Sequence, residues 1–595
     1  MTPRPQGRPA GLDFPMVGVL SRRGRFVVAE PLFGPRGARV AVAGGGGSAG
    51  DLVLVGGGKK GARVIRKIGR PTVARDVVEG LMLHRGLRLS FPRRVEEEVG
   101  ELEPQSDGER VDLRELPTFT IDPDDARDFD DAISAERLDD EGGEERSPTG
   151  GRASAAPQDL VRVWVHIADV SAYVLPGGAL DTEAYRRGTS TYVPGAVEPM
   201  LPEALSNGAC SLRPGEDKPA VTVEMDVAGT EVRRVRFMRS TIRSDHRLTY
   251  ADVDDVFAGR AQARDPWAAP LEGARAVSAA LQDKRRQAGA LEVTSTEPGF
   301  RFDGDGNVAG VVREAQTESH ELIEHLMILA NEQVAGYLAD RKLPTLYRVH
   351  EKPDPDRVET MIGQLASLEV PTPAIPRNMS PQQAAAVAAE ASRLAAAEAR
   401  RTGRGATAFG SLVLRSLKQA YYSPRNLGHA GLASSRYCHF TSPIRRYPDL
   451  VAHRALLAGL GLGPDAPRGH DLDDAGVECS ALERAAMKLE RSADDVCLAF
   501  LLESTVGRMG GGDPPVFEGE VVGLVAKGAF IRFGEEGFEG FLSVRSLRDW
   551  YTLNEEGTAL QGQGSGRAVQ MGDAIRVTVQ RVEAPRGRVD LEPAA

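Results

Sequence analysis

Apolar and polar residues alternate with a period of two at both ends of this chain, in short runs cut by glycine. Near the start the runs are VGVLSRRGRFVVAE, ARVAVA, DLVLV and GARVIRKI. Near the end they are FEGEVVGLVAKGAFIRFGEEGFEGFLSV and GDAIRVTVQRVEAPRGRVDLE. This period places alternate side chains on opposite faces of a strand. Short strands at even spacing with glycine turns close into small barrels. Two such ends bracket a long centre, so the chain folds as several domains, and 595 residues suit three or four. Gly44–Gly47 and Gly56–Gly58 look like phosphate cradles. A Walker A loop needs Ser or Thr directly after Gly-Lys, and Lys60 follows Lys59 here, so both read as hairpin turns.

Residues 1–15 read as a disordered Pro/Arg/Gly tail, and 16–70 as a cold-shock-like OB barrel. Residues 71–110 hold a helix, VARDVVEGLMLHRG at 73–86, followed by an acidic linker. The centre, 111–507, mixes strands with helices expected at 320–342, 380–401 and 477–507. Its low-complexity insertion LDDEGGEERSPTGGRASAAPQD, 138–159, reads as a mobile surface loop. Residues 515–593 form a second OB-type barrel. The fold class is therefore multidomain α+β, with a mixed α/β centre between small all-β barrels.

Composition removes several alternatives. With 41% hydrophobic and 27% charged residues the chain suits a soluble globular protein. No apolar run reaches 18 residues, so no transmembrane helix is expected, and the N-terminus lacks the apolar core of a signal peptide. Cys210, Cys438, Cys479 and Cys497 are scattered, which fits a reducing cytoplasm rather than disulfides or zinc. A net charge of −11 argues weakly against a nucleic-acid partner. The bases nevertheless cluster, in RRVRFMRSTIRSDHR at 233–247 and SPIRRY at 442–447, while the acids gather in 95–112 and 136–145.

The most informative segment is TFTIDPDDARDFDDAI, 118–133. At least five of its six aspartates have no base nearby, and their mutual repulsion is costly without a cation. The residues alone leave two readings, a solvated acidic turn or a metal-binding loop. Ile121, Phe129, Ala132 and Ile133, interleaved with the acids, anchor the segment in a core and favour the second. A calcium EF-hand fails, because Arg127 stands where glycine is required and Ile133 where glutamate is required. Clustered carboxylates suit two-metal phosphodiester chemistry.

From 111 to 593 the sequence resembles the RNase II/RNase R family of exoribonucleases. The family's four signature aspartates match Asp122, Asp128, Asp130 and Asp131. WVHIADVSAYV, TSTYVPGAVEPMLPEALSNGACSLRPGEDKPAVTVEMDV, HRLTYADV, HELIEHLMILAN and YCHFTSPIRRYPDL follow in the family's order. The resemblance implies a central RNB catalytic domain with OB barrels around an RNA entrance. It implies hydrolytic, processive 3′→5′ degradation of single-stranded RNA to nucleoside 5′-monophosphates, in the cytoplasm, by a monomer. Two magnesium ions, replaceable by manganese, are expected on the four aspartates.

Individual roles follow by resemblance. Tyr192 clamps a base of the entering strand, and Tyr250 holds the terminal nucleotide near its sugar. Glu324 helps read the ribose. On a helical wheel Leu322, Ile323, Leu326, Met327, Ala330 and Val334 form the apolar face, with Glu324 and Asn331 at its edge. Arg445 contacts the scissile phosphate, and Arg446 is a neighbouring RNA contact. The sequence also departs from the family. Val293 stands where phenylalanine often stacks on the terminal bases, and His325 replaces a second glutamate and reads as structural. One N-terminal barrel is expected rather than two, without a Lys-rich C-terminal tail. The rival readings are an RNA-binding regulator without turnover and a DNA-directed nuclease. The first is disfavoured by the four aspartates, the second by Tyr250 and Glu324.

Overall fold

A seven-stranded sheet carries the centre of the molecule, in the order His246–Thr249, Phe119–Asp122, Asp131–Leu138, Leu160–Ala168, Asp217–Ala228, Glu231–Arg243 and Val111–Asp112. The computed structural model describes residues 15–594 except 25, 35–36, 44, 59–60, 103–108, 139–159, 288–296, 464–465, 468, 470 and 510–513. The expected tail (apart from residue 15), the insertion after Leu138 and Val293 lie outside the described residues.

The strand LVRVWVHIA is central because it is apolar almost throughout, as a strand buried on both faces must be. Val163, Val165 and Ile167 pack with Leu271, Val277, Leu322 and Leu326 of the helices Ala268–Gln287 and Glu318–Asp340. The alternate residues form a buried polar row across the strands. Thr118 meets Ser134 at 2.8 Å, Ser134 meets His166 at 3.2 Å, His166 meets Thr222 at 2.9 Å, and Thr222 meets Ser240 at 2.6 Å. A one-residue slip would leave all five groups unsatisfied, so the row fixes register. Burial pushes His166 down to about 3, which keeps its ring neutral.

At the N-terminal end five strands pair in the order Val40–Ala41, Phe26–Pro31, Met16–Arg23, Leu52–Gly58 and Gly61–Gly69. A bridge between Val42 and Ala62 joins the two edges around Met16, Leu20, Ala29, Val53 and Val55. The helix Ala74–His84 follows. The next segment, expected as an acidic linker, is helical over Arg93–Gly100. Its Val95 is buried, and its Glu98 carboxylate accepts from the backbone N–H groups of Ala179 and Leu180 at 2.8 and 3.2 Å, capping the helix Ala179–Arg187. One of its acids, Glu98, therefore serves as a cap on a neighbouring helix, which the local sequence does not reveal.

The C-terminal strands close a barrel in the order Val516–Val525, Gly528–Phe533, Phe538–Ser543, Arg588–Pro593 and Ala574–Glu583. A small sheet, Tyr551–Leu553, Ala559–Gly562 and Ala568–Gln570, sits on it. The helix Asp471–Met509, about 58 Å long at 1.5 Å per residue, runs from the central domain to this barrel. Its Leu489, Ala493, Val496 and Leu502 share a core with Val78 and Leu81 of the first helix and Val521 and Leu591 of the barrel.

Candidate active site

The acidic loop joins two neighbouring strands, so the chain must reverse within residues 123–130. Ser211 staples the turn, accepting from Phe129 N at 3.0 Å and donating to Arg127 O at 2.9 Å. Leu212 N donates to Phe129 O, and Ala168 N to Asp130 O. On the other side Arg247 lies on the strand that runs parallel to Phe119–Asp122, opposite Thr120. Its Nη2 donates to the carbonyls of Pro123 and Asp124 at 2.5 and 2.6 Å. Its guanidinium also stands 5.6 Å from the centre of the Phe129 ring.

The four aspartates are brought together by this turn. Asp130 is 4% exposed. One of its carboxylate oxygens accepts from Ile444 N at 2.8 Å, and the other lies 3.6 Å from Arg445 Nε. Asp128 accepts from the Tyr192 hydroxyl at 2.9 Å. Oδ2 of Asp122 and Oδ2 of Asp130 are buried with no hydrogen-bond partner. Burial holds the carboxyls of Asp122, Asp130 and Asp131 above the usual aspartate range. Repulsion from Asp122 adds to the shift at Asp131, and Arg445 opposes it.

Unsatisfied carboxylate oxygens among like charges are the donor set a hard divalent cation takes. Among the described residues no three His, Cys, Asp or Glu side chains form a finished metal cage. Magnesium is compatible with that, because it keeps waters and substrate phosphate in its shell and uses few carboxylates.

Arg445 is half exposed, with Nη2 donating to Ser442 Oγ at 3.1 Å. Its carbonyl accepts from Ser190 N at 2.9 Å, which ties it to the hairpin carrying Tyr192. Arg446 sits differently. Its guanidinium grips Asp449 through Nε and Nη2 at 2.9 and 2.8 Å, and Asp449 also accepts from Ser442 N at 2.8 Å. In this arrangement Arg446 braces the SPIRRY turn, with about a fifth of its side chain exposed.

Tyr250 opens the helix Tyr250–Phe257, capped by Thr249 and Asp252. Burial, and then Asp131 and Asp122, push its hydroxyl up. Its ring stacks on His320 at 3.7 Å, a partner that sequence reasoning did not pick out. Glu324 is exposed yet flanked by enough protein to raise its carboxyl, and it accepts from Gln316 Nε2 at 2.6 Å. The apolar face expected for its helix is buried throughout. Asn331, expected beside Glu324 at the edge, is 2% exposed and accepts from Phe440 N at 2.8 Å, so it locks the core. His325 is buried and meets Ser278 at 3.1 Å, as a structural histidine does.

The basic run 233–247 is largely neutralised. Arg233, Arg236, Arg239 and Arg243 pair with Glu231, Glu224, Asp169 and Asp217. All four acids lie outside the run, two of them on the adjacent strand Asp217–Ala228, and strand pairing is invisible in a one-dimensional charge count.

The chain belongs to the RNB family: residues 110–461 match the RNB domain, and residues 515–592 match the S1 RNA binding domain. Ribonuclease R of Escherichia coli (strain K12) is 34% identical over 524 residues, covering 84% of this chain and 60% of that protein. Ribonuclease R of Aquifex aeolicus is 33% identical, over 89% of this chain and 72% of its own length. The structure of Mycoplasma genitalium RNase R in complex with ribose methylated single-stranded RNA superposes with a TM-score of 0.82 at 23% identity. It covers 97% of this chain and 89% of that one.

Proposed function

We propose that this chain is a hydrolytic, processive 3′→5′ exoribonuclease that degrades single-stranded RNA to nucleoside 5′-monophosphates in RNA turnover. The observation that carries the reading is the acidic loop of an RNB domain, complete in its four aspartates and set against Arg445. Asp122, Asp128, Asp130 and Asp131 would hold two magnesium ions, with manganese able to substitute. Bound there, the ions supply Lewis acidity at the scissile phosphate.

The chain's own groups do the rest. Arg445 has a free face and can neutralise charge that builds on the phosphate. The Tyr192 ring, 39% exposed, stacks on a base of the incoming strand. Tyr250 and Glu324 flank the place of the terminal nucleotide, and Glu324 accepts from its ribose hydroxyl, the group that distinguishes RNA from DNA. Arg446 supports Arg445 from behind through Asp449. Among the described residues no helix is long and apolar enough to cross a membrane. The protein acts as a monomer in the cytoplasm, with RNA as its partner.

The test is a time course on 5′-labelled single-stranded RNA. Stepwise shortening that depends on magnesium and ends in mononucleotides is expected. Tight binding without shortening would point to a regulator instead.

A further inference from the structure

Trp550 is the most exposed large apolar side chain among the described residues, at 77%, whereas Trp164 and Trp267 are buried. An exposed indole offers a large, flat apolar face to a partner. Its mount is rigid. The Asp549 carboxylate accepts from Trp550 N at 2.6 Å, Gly564 N at 3.0 Å, Ser565 N at 2.7 Å and Ser565 Oγ at 2.5 Å. The Trp550 carbonyl accepts from Gln563 N at 2.8 Å. The same small sheet is fastened to the helix Pro355–Ser367, where Ser367 meets Thr558 at 2.8 Å and Gln364 donates to Glu556 O at 2.9 Å. A ring held on such a base loses little freedom when a partner stacks on it.

The charge around it has one sign to spare. Arg545 and Arg548 are exposed, close before Trp550 in the chain, and have no ion pair among the described residues. Arg567 is also exposed and stands across the hairpin, with its carbonyl accepting from Gly562, the register partner of Tyr551. Asp549, next to the ring in the chain, is spent on four backbone and hydroxyl donors. An exposed aromatic among unpaired arginines suits an unstacked base and its flanking phosphates.

We infer that Trp550, with Arg545, Arg548 and Arg567, is a stacking subsite for single-stranded RNA, away from the acidic loop. The inference rests on the proposed function and adds a contact outside the strands of the closed barrel. The ring takes the base face without regard to sequence, and the arginines take the phosphates.

The chain's three tryptophans make the test direct. The full-length protein is titrated with oligoadenylate in a chelator, so that RNA is not consumed. Anisotropy of a label on the RNA reports binding, and tryptophan emission with iodide quenching reports the ring. Iodide should quench the free protein, and RNA should both lower the emission and protect it from iodide. Trp550→Phe should abolish the emission response while holding affinity. Trp550→Ala should weaken binding about tenfold. RNA that binds with no change in emission, and with equal affinity for Trp550→Ala, overturns the subsite and leaves the proposed function standing. No binding in anisotropy overturns the proposed function itself. Emission that follows protein concentration and ignores RNA makes the ring a contact between copies and overturns the subsite.

Discussion

The hydroxyl of Tyr192 donates a 2.9 Å hydrogen bond to the carboxylate of Asp128, so the residue assigned to clamp a base also touches the acidic loop. The two roles separate by substitution. Tyr192→Phe keeps the ring and should hold RNA affinity within about twofold. It removes a hydrogen bond to a carboxylate, worth about 1.5–3 kcal/mol, and should lower turnover about tenfold or more. Tyr192→Ala should weaken affinity as well, by about 1–3 kcal/mol. Binding and single-turnover rates for the two variants check the split. Equal effects on both quantities would contradict it.

Asp130 is the most enclosed of the four aspartates, held by Ile444 N and faced by Arg445. Asp130→Asn preserves size and removes the charge. Turnover should fall by at least ~10², the scale on which electrostatic transition-state stabilisation is lost, while RNA binding persists. Gel assays with a filter-binding control measure both. Near-normal turnover in a folded variant rules out the role.

The sequence makes some of this legible and hides the rest. Ile121, Phe129, Ala132 and Ile133 anchor the acidic loop in the core, as their interleaving with acids implies. Period-two alternation finds the strands of both barrels because each strand shows one face to water. Three features lie beyond that reach. The clamp of Arg247 on Pro123 and Asp124 joins residues 123–124 positions apart, through a parallel strand pairing that no local pattern encodes. Arg446 looks the same as Arg445 in SPIRRY, and only the helix turn that brings Asp449 alongside separates their fates. The helix Arg93–Gly100 has one buried apolar residue, too few to show a periodicity.

Glu324 is exposed and raised by its surroundings, with Gln316 as its one hydrogen-bond partner among the described residues. A carboxylate in that state is free to accept from a ribose hydroxyl. Single-stranded DNA should bind, because stacking and phosphate contacts do not need that hydroxyl, yet be degraded poorly. Glu324→Ala should narrow the difference in rate between RNA and DNA. Parallel time courses on matched oligomers decide it, and unchanged discrimination removes Glu324 from sugar recognition.

Arg247 acts through the loop it holds. Its Nη2 fixes the turn after Asp122, and its charge lowers the Asp122 carboxyl against burial. Arg247→Met should loosen the turn and raise the magnesium concentration for half-maximal activity about tenfold or more. Arg247→Lys should restore little, because one ammonium cannot match the planar fork. The readout is the magnesium activation curve at saturating RNA. A lower maximal rate with an unshifted curve would place Arg247 outside metal binding.

The raised carboxyls also predict how metal and acidity together set stability. Asp122 is pushed up to about 6 and Asp131 to about 7, chiefly by burial, with Asp130 raised as well. Their unfolded value is near 3.8. Between 3.8 and about 7 the folded state therefore binds more protons than the unfolded one, so stability falls as pH rises through that window. Below 3.8 the stabilisation from Asp122 and Asp131 is fully present, and above about 7 it is gone. A divalent cation reverses the balance, because it binds the ionised carboxylates of the folded state only. In a chelator, the acidic loop should thus favour the folded state at pH 5 over pH 8. Magnesium should raise the melting temperature more at pH 8 than at pH 5, since at pH 5 it must displace protons. Asp130→Asn should shrink the magnesium increment at both. Thermal melts of the two proteins, with and without magnesium, measure it directly. An increment that is equal at both pH values, or larger at pH 5, would show that these carboxylates are not where the ion binds.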